Sequence, residues 1–301
     1  MRFFILMCAI WFVPDCHAQQ IALTFDDAPM PGTSVMTGEE RTKRIISALK
    51  ESNVPDALFF VTAQYLSDTS AKRLTQYADA GFHLANHSFS HTSANKISAE
   101  GFLSDARKAH SMIKLFSNQV NYFRFPYLHH GDSKTKRKVI LDGLDELGYR
   151  VGYVTVDNFD WYVNSLYVTA MGDGKKLNIE NLKRLYVDVL WACIQFYDAV
   201  AVKALGKSPK HVLLLHENDL AALFLPDLIA KIRQEGWQII SPLEAYNEPL
   251  LSQYGREFDF NKQGRVAAIA YMKGVPEELL RHPSENTEYL DRLLKEYAVI
   301  Q

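Results

Sequence analysis

Short apolar runs alternate with longer segments of helical spacing along the chain from residue 21 to residue 240. Short runs rich in β-branched and aromatic side chains are typical of buried strands. Seven runs predict strands at residues 21–25, 57–61, 82–85, 122–125, 151–156, 212–215 and 237–240. Strands that alternate with helices indicate an α/β fold with a parallel sheet or a (β/α) barrel.

The segments between these runs have the features of amphipathic helices. In "GEERTKRIISALKES", Ile45, Ile46 and Leu49 lie on one side, and the two acidic residues stand at the start, where the helix dipole favours them. Two further segments close on Gly148 and Gly236, which are typical helix stops. The other predicted helices cover residues 98–116 and 178–205.

The pattern becomes more polar after residue 242 and ends in a predicted helix from Ser284. We expect residues 246–301 to form a C-terminal extension packed on the barrel. With roughly sixty residues, the extension could also be a marginal domain of its own.

The N-terminus has the order of a secretory signal: Arg2, then an apolar run over residues 3–13, then the small residue Ala18. We expect a signal peptide over residues 1–18, and a mature protein that is secreted or periplasmic. The alternative is a buried N-terminal strand. Removing this segment would leave Cys193 as the sole cysteine, so the mature chain could form no internal disulfide.

Composition and charge exclude some function classes without naming a function. Hydrophobic residues make up 48% of the 301 residues and charged residues 23%, which is typical of a soluble globular protein. The net charge of −2 gives no reason to expect a nucleic-acid partner. We expect no stretch beyond the N-terminus to be apolar for long enough to span a bilayer. The sequence predicts no particular oligomeric state.

Ionisable residues follow five of the predicted strands. Because the C-terminal ends of parallel barrel strands converge on one face, these residues are expected to meet in one cleft. They include Asp26 and Asp27, His87 and His91, Arg124, Asp157 and Asp160, and His216, Glu217 and Asp219.

The spacing of two histidines suggests a metal site. His87 and His91 are four residues apart, so on a helical turn both imidazoles would point the same way. The pair alone is weak evidence for a metal. With a carboxylate from another strand end it becomes a three-ligand site with an open fourth position, which is the pattern of catalytic zinc.

Five ordered motifs resemble those of the polysaccharide deacetylases, the NodB-homology proteins of carbohydrate esterase family four. The motifs are "TFDD", "HSFSH", "RFPY", "DNFDW" and "LLLHEN". The resemblance covers residues 21–241 and implies a distorted (β/α) barrel of about seven parallel strands over residues 19–245. It also implies a Zn²⁺-dependent deacetylase, with another divalent ion such as Co²⁺ as an option, acting on N-acetylglucosamine units of peptidoglycan or a chitin-like glycan.

The resemblance also implies residue roles. Asp27, His87 and His91 would bind the metal. Asp26 would be the general base held by Arg124, and His216 the general acid oriented by Asp160. Tyr127 would help to stabilise the oxyanion through its backbone N–H, and Trp161 and Leu214 would form the acetyl pocket. Since adjacent residues of an extended strand point to opposite sides, Asp26 and Asp27 are expected to serve different partners.

Simpler or different interpretations remain open. Arg124 could be a surface ion-pair partner, and Trp161 and Leu214 could be ordinary core. His129 and His130 could be solvated loop residues. The chain could instead be an O-acetyl esterase on xylan or another glycan, or a non-catalytic carbohydrate-binding relative. One departure is Glu217, since the family usually has Asp after the motif histidine.

Overall fold

The protein is described by a computed structural model over residues 18–256, 258, 260 and 262–300. The first seventeen residues of the predicted signal peptide lie outside this part of the chain. The described residues contain seven parallel strands, as the apolar pattern predicts. Their bounds are β1 Gln20–Ala28, β2 Leu58–Val61, β3 His83–Asn86, β4 Gln119–Phe123, β5 Arg150–Val151, β6 Lys210–His216 and β7 Gln238–Ile239.

Helices connect the strands and cover the sheet. Their bounds are α1 Gly38–Glu51, α2 Asp68–Asp79, α3 Ala99–Ile113, α4 Lys134–Glu146, α5 Asp160–Gly172, α6 Ile179–Leu205, α7 Asp219–Gln234, α8 Pro242–Ala245, α9 Pro249–Ser252, α10 Arg265–Met272 and α11 Thr287–Glu296. Side-chain oxygens cap many of the N-termini. Ser98 accepts a hydrogen bond from the N–H of Gly101 at the start of α3, and Asn218 does so from Ala221 at the start of α7.

The sheet runs in the order β5-β4-β3-β2-β1-β6, and β7 pairs with the first residues of β1. The predicted fifth strand, residues 151–156, is wrong in its extent, because regular pairing ends at Val151. The chain then crosses from β4 to β6: Gly152 donates to Phe123, and Thr155 and Val156 donate to Val212. This crossing, with an isolated bridge between Val156 and Leu213, connects the two ends of the curled sheet and confirms the predicted fold class of a distorted (β/α) barrel.

Gly152 makes the crossing possible. A Cβ atom at this position would lie 2.5 Å from the ring of Phe60, closer than packed atoms allow. The carbonyl of Gly152 also accepts a hydrogen bond from Nε of Arg124 at 2.8 Å. The absence of a side chain therefore lets the backbone pass close to Phe60 and hydrogen-bond to Arg124.

Helix α6 corrects one expectation from the sequence. By length and composition it could cross a membrane, although no such stretch was expected beyond the N-terminus. In the fold, 56% of its apolar window is buried inside the protein, where Leu185, Leu190 and Ile194 belong to the main core. A core helix of a soluble protein passes the same test, so this helix is no argument for membrane insertion.

The residues after 245 pack against the barrel. Val266 and Ile269 of α10 are fully buried in the same core as α6. The backbone N–H of Arg265 donates to the carbonyl of Val154 at 2.7 Å, and a Cβ at Gly264 would come within 2.9 Å of that oxygen. The close approach brings the C-terminal residues to the end of the barrel at which β6 ends.

Candidate metal centre and active-site cleft

Three side chains at the C-terminal end of the barrel could hold one metal ion. Ligand atoms of Asp27, His87 and His91 all lie within 4.8 Å of one another. Oδ1 of Asp27 lies 3.5 Å from Nε2 of His91 and 4.0 Å from Nε2 of His87. Two imidazole nitrogens and one carboxylate oxygen form the donor set that zinc takes in catalytic sites, with further positions left open. The residues therefore fit the predicted metal.

The backbone that assembles this cluster differs from both local predictions. Residues 87–91 are not helical; the left-handed residues Ser88 (φ 72°) and His91 (φ 55°) turn the chain so that the two rings meet. Asp27 is also left-handed (φ 66°), so β1 is irregular at its end and Asp26 and Asp27 do not alternate across an extended strand. Both carboxylates approach the same histidine, since Oδ2 of Asp26 lies 3.6 Å from Nε2 of His87.

Hydrogen bonds orient the candidate ligands. Nδ1 of His87 lies 2.9 Å from the carbonyl oxygen of Arg124, to which it can donate, so Nε2 is left to face the cluster. The hydroxyl of Thr62 donates to Oδ1 of Asp27 at 2.8 Å. Burial, followed by the neighbouring His91, lowers the pKa of His87 to about 3, so the ring is neutral as a metal ligand must be.

Asp26 and Arg124 form a buried ion pair beside the cluster. Nη1 of Arg124 lies 2.6 Å from Oδ1 of Asp26, and both side chains are almost fully buried. The guanidinium also donates to the hydroxyls of Thr24 and Tyr246 at 2.8 and 2.9 Å. This network excludes the interpretation of Arg124 as a surface ion-pair partner.

His216, on the strand next to Asp26, forms a second pair with Asp160. Asp26 and His216 are register partners in the pairing of β1 with β6. Nδ1 of His216 lies 2.6 Å from Oδ1 of Asp160, whose other oxygen accepts the N–H of His216 and the amide of Asn218. Burial lowers the pKa of His216, but the Asp160 carboxylate outweighs it and the pKa is raised to about 9.

The predicted substrate-binding residues line a cleft of about 660 Å³ above these groups, a volume typical of small-molecule sites. Tyr127 and Trp161 are 59% and 43% exposed, so their rings offer open faces to a ligand. Leu214 is buried at 5% exposure, yet it also lines the cleft. His129 is part of the lining and lies 2.7 Å from the hydroxyl of Ser93, so it is not simply a solvated loop residue.

Two acidic residues expected in the cleft lie elsewhere. Glu217 is fully buried and accepts hydrogen bonds from Arg73 at 2.5 Å, Tyr77 at 2.9 Å and the N–H of Met30 at 2.7 Å. Asp219 is also fully buried, and it pairs with Arg41 at 2.6 Å. Both carboxylates hold helices α1 and α2 against the loop after β1. Both residues follow the end of β6, as expected, but their side chains turn away from the cleft, which the convergence of strand ends did not predict.

Two cations at the cleft were missed by the sequence analysis. Lys262 and Arg281 come from the residues after 245 and line the same cleft as the candidate metal ligands. Neither lies in a motif, and a polar segment outside the barrel gives no signal of where it packs. Asp157, one of the ionisable residues predicted after the fifth strand, accepts the N–H of Asn158 at 2.8 Å and also lines the cleft.

Comparison with known proteins supports the resemblance. The family described as polysaccharide deacetylase matches residues 15–152. This region contains Asp26, Asp27, His87, His91 and Arg124, and it ends before the segments that carry Asp160 and His216. The match supports the resemblance suggested by the motifs over this part of the chain.

Individual relatives are more distant. A bifunctional xylanase/deacetylase from Pseudobutyrivibrio xylanivorans is 31% identical over 109 residues, which cover 36% of this chain and 16% of that protein. A pseudoenzyme of carbohydrate esterase family four from Bacillus anthracis superimposes with a TM-score of 0.53 at 19% identity, over 76% of this chain and 66% of that one. An acetyl xylan esterase of family four from Clostridium thermocellum, in complex with a cobalt ion, gives 0.51 at 18% identity, over 79% and 93%. At these identities the solved structures support the fold alone.

Proposed function

We propose that this chain, whose residues 15–152 match the polysaccharide deacetylase family, is a metal-dependent hydrolase that removes acetyl groups from N-acetylglucosamine units of a cell-wall or extracellular polysaccharide. One observation carries the proposal. Asp26 and His216, register partners on β1 and β6, line the same cleft as the three candidate metal ligands, and each is held by a buried partner, Arg124 and Asp160. A base, an acid and a metal site thus face the same space, as amide hydrolysis requires.

The metal assignment follows from the donor set. Asp27, His87 and His91 would hold the ion, with Zn²⁺ as the first choice and Co²⁺ as an alternative. When bound, such an ion lowers the pKa of water and polarises a carbonyl group. The hydroxyl of Thr62 and the carbonyl of Arg124 keep two of the three ligands in position for it.

Asp26 and His216 each carry out one of the two proton transfers. Asp26 accepts a proton from the attacking water, whose oxygen forms a bond to the acetyl carbonyl carbon. His216 gives its proton to the amide nitrogen as the carbon–nitrogen bond breaks, so that acetate and an amine leave. The raised pKa of His216 keeps this proton available at neutral pH. The backbone N–H of Tyr127 is proposed to stabilise the negative oxygen of the intermediate.

The cleft suits a sugar with an acetyl group. Trp161 and Leu214 are proposed to enclose the methyl group, and the exposed ring of Tyr127 gives a sugar ring an apolar face to lie on. Peptidoglycan and chitin-like oligomers are therefore the substrates to test first.

O-deacetylation is the second candidate, because one relative is an acetyl xylan esterase and another a xylanase/deacetylase. An amine leaves poorly unless it is protonated, whereas an alkoxide needs less help. His216→Ala should therefore abolish amide cleavage and retain much of the ester cleavage. Equal losses on the two substrate types would count against His216 as the acid.

A non-catalytic role is less well supported, although one structural neighbour is a pseudoenzyme. The three candidate metal ligands, the base and the acid are all in place in the described chain. Acetate release from peptidoglycan, chitin oligomers and acetylated xylan, with and without a chelator, tests the proposal. Release from an N-acetylated glycan that stops with chelator is expected; metal-loaded protein that releases no acetate from any of them would refute it.

We also propose that the protein is exported, on the basis of the sequence of residues 1–18. Sequencing the N-terminus of protein recovered outside the cytoplasm would test this, with a mature chain that starts after Ala18 as the expected result. An intact Met1 on that protein would contradict cleavage.

A further inference from the structure

The residues after 245 contribute positive charge to the cleft as well as packing to the core. Lys262 and Arg281 both line the cleft that holds the candidate metal ligands. Both side chains are exposed. Among the described residues, neither has a hydrogen-bonded or ion-paired side-chain partner. Two solvated cations therefore face the space where a substrate would lie.

Buried neighbours fix the two chain segments that carry these cations. Next to Lys262, Gln263 is buried and donates to Oε2 of Glu285 at 3.2 Å. Glu285 lies in the turn that follows Arg281 and accepts the hydroxyl of Tyr197 on α6 at 2.6 Å. The two segments that carry the cations are thus tied to each other and to the core through one buried carboxylate.

The acidic groups near the cleft offset this positive charge only in part. Asp26 is paired with Arg124, and Asp27 is assigned to the metal. Asp157 is the remaining carboxylate of the lining, and both Asp157 and the buried Glu285 interact electrostatically with Arg281. Burial, then the neighbouring Glu285, raises the pKa of Asp157 well above its usual range, which reduces the negative charge that it sets against Arg281.

We propose that Lys262 and Arg281 form a subsite that binds a carboxylate of the substrate, so that the protein prefers acetylated glycans that carry uronic-acid or lactyl carboxylates over neutral ones. The inference rests on the proposed deacetylase function and narrows its substrate class. An ammonium and a guanidinium at the side of an apolar, aromatic cleft match a sugar chain that bears a negative group near its acetyl group.

Both cations are exposed, so the expected preference is moderate. Exposed ion pairs contribute about 0.2–1 kcal/mol each, which corresponds to a combined preference of about twofold to thirtyfold. The preference should shrink as salt concentration rises, because solvated charges are screened.

The test compares three substrates: an N-acetylglucosamine oligomer, an oligomer in which that sugar alternates with a hexuronic acid, and the methyl ester of the second. Wild-type protein should show a higher kcat/KM on the acid than on its ester. K262Q/R281Q should lose that difference and keep its rate on the neutral oligomer. The control K207Q/R107Q removes two exposed cations outside the cleft and should keep the difference. An additional substrate, with the carboxylate on a lactyl ether, shows whether the subsite prefers a lactyl or a uronic-acid carboxylate.

Equal rates of the wild type on acid and ester, or an unchanged preference in K262Q/R281Q, would overturn the subsite. The neutral oligomer tests the proposed function separately. Calorimetric titration of chelator-treated protein with the acid and the ester measures the subsite without turnover. Tighter binding of the acid by the wild type, lost in K262Q/R281Q, supports the subsite even if no acetate is released; equal binding of the two ligands contradicts it.

Discussion

The carbonyl oxygen of Arg124 lies 2.9 Å from Nδ1 of His87 and accepts its hydrogen bond, while the Arg124 side chain pairs with Asp26 at 2.6 Å. One residue therefore orients a candidate metal ligand with its main chain and the candidate base with its side chain. Arg124 directly follows β4, so the end of this strand positions both contacts. Substituting the Arg124 side chain should disturb the base and leave the histidine contact in place.

Arg124→Met should be strongly destabilising, because it leaves the buried Asp26 carboxylate without its cation. We expect a loss of about 3–5 kcal/mol in the free energy of unfolding, measured by urea denaturation. Arg124→Met combined with Asp26→Asn should recover part of that loss, since the second change removes the unpaired charge. Strictly additive losses would show that the two side chains do not depend on each other.

Thr62→Val should weaken metal binding without touching a ligand. The hydroxyl of Thr62 is buried and donates to Oδ1 of Asp27 at 2.8 Å, and loss of such a supporting bond typically costs 10–100-fold in metal affinity. Competition titration with Zn²⁺ or Co²⁺ measures the effect. Thr62→Ser keeps the hydroxyl and serves as the control. Wild-type affinity in Thr62→Val would exclude this role.

The pH profile should follow His216. Its pKa is raised to about 9, so the protonated acid is present below that pH and kcat/KM on an amide substrate should fall as the pH rises through about 9. Asp160→Asn removes the carboxylate that raises this pKa, so the alkaline limb should move to lower pH. The profile is measured from acetate release at low substrate concentration. An alkaline limb that does not move in Asp160→Asn would contradict the assignment.

Glu217→Gln should lower the free energy of unfolding while leaving the rate of acetate release nearly unchanged. The carboxylate accepts bonds from Arg73, Tyr77 and the N–H of Met30, and an amide would set a donor against one of these donors. A loss of about 3–5 kcal/mol in the free energy of unfolding is expected.

Glu235→Gln is the control for the Glu217 variant. Glu235 lies in a partly exposed pair with Lys231, so its substitution should cost less than about 1 kcal/mol. Acetate release by folded Glu217→Gln should stay close to wild type. A loss of kcat without a loss of stability would instead place Glu217 in the reaction.

The sequence predicted β1, β2 and β6 well because each is a largely apolar run buried on the barrel, whereas the half-exposed β5 was predicted with the wrong extent. It also predicted that Asp26, His87, Arg124 and His216 would meet, since parallel strands end on one face. Two local arguments were wrong, on the helical turn at His87–His91 and on the alternation at Asp26–Asp27. Left-handed residues decide both geometries, and neither residue spacing nor strand alternation predicts a left-handed backbone at Asp27, Ser88 or His91.

Long-range packing accounts for the other differences. Glu217 turns away from the cleft because Arg73 and Tyr77 on α2 supply its partners, and no spacing along the chain shows that contact. Lys262 and Arg281 reach the cleft because α10 packs on α6 and carries the last segment over the barrel end. Polar segments without a motif carry no sequence signal for such a position.

The central claim is that the two neighbouring aspartates do different work, and paired measurements on Asp26→Asn and Asp27→Asn test it most directly. Zinc affinity by calorimetry and acetate release from an N-acetylglucosamine oligomer are measured for each variant and the wild type. We expect Asp26→Asn to bind zinc like the wild type and to release no acetate, and Asp27→Asn to bind zinc much more weakly. Wild-type turnover by Asp26→Asn, or wild-type zinc affinity in Asp27→Asn, would contradict the account.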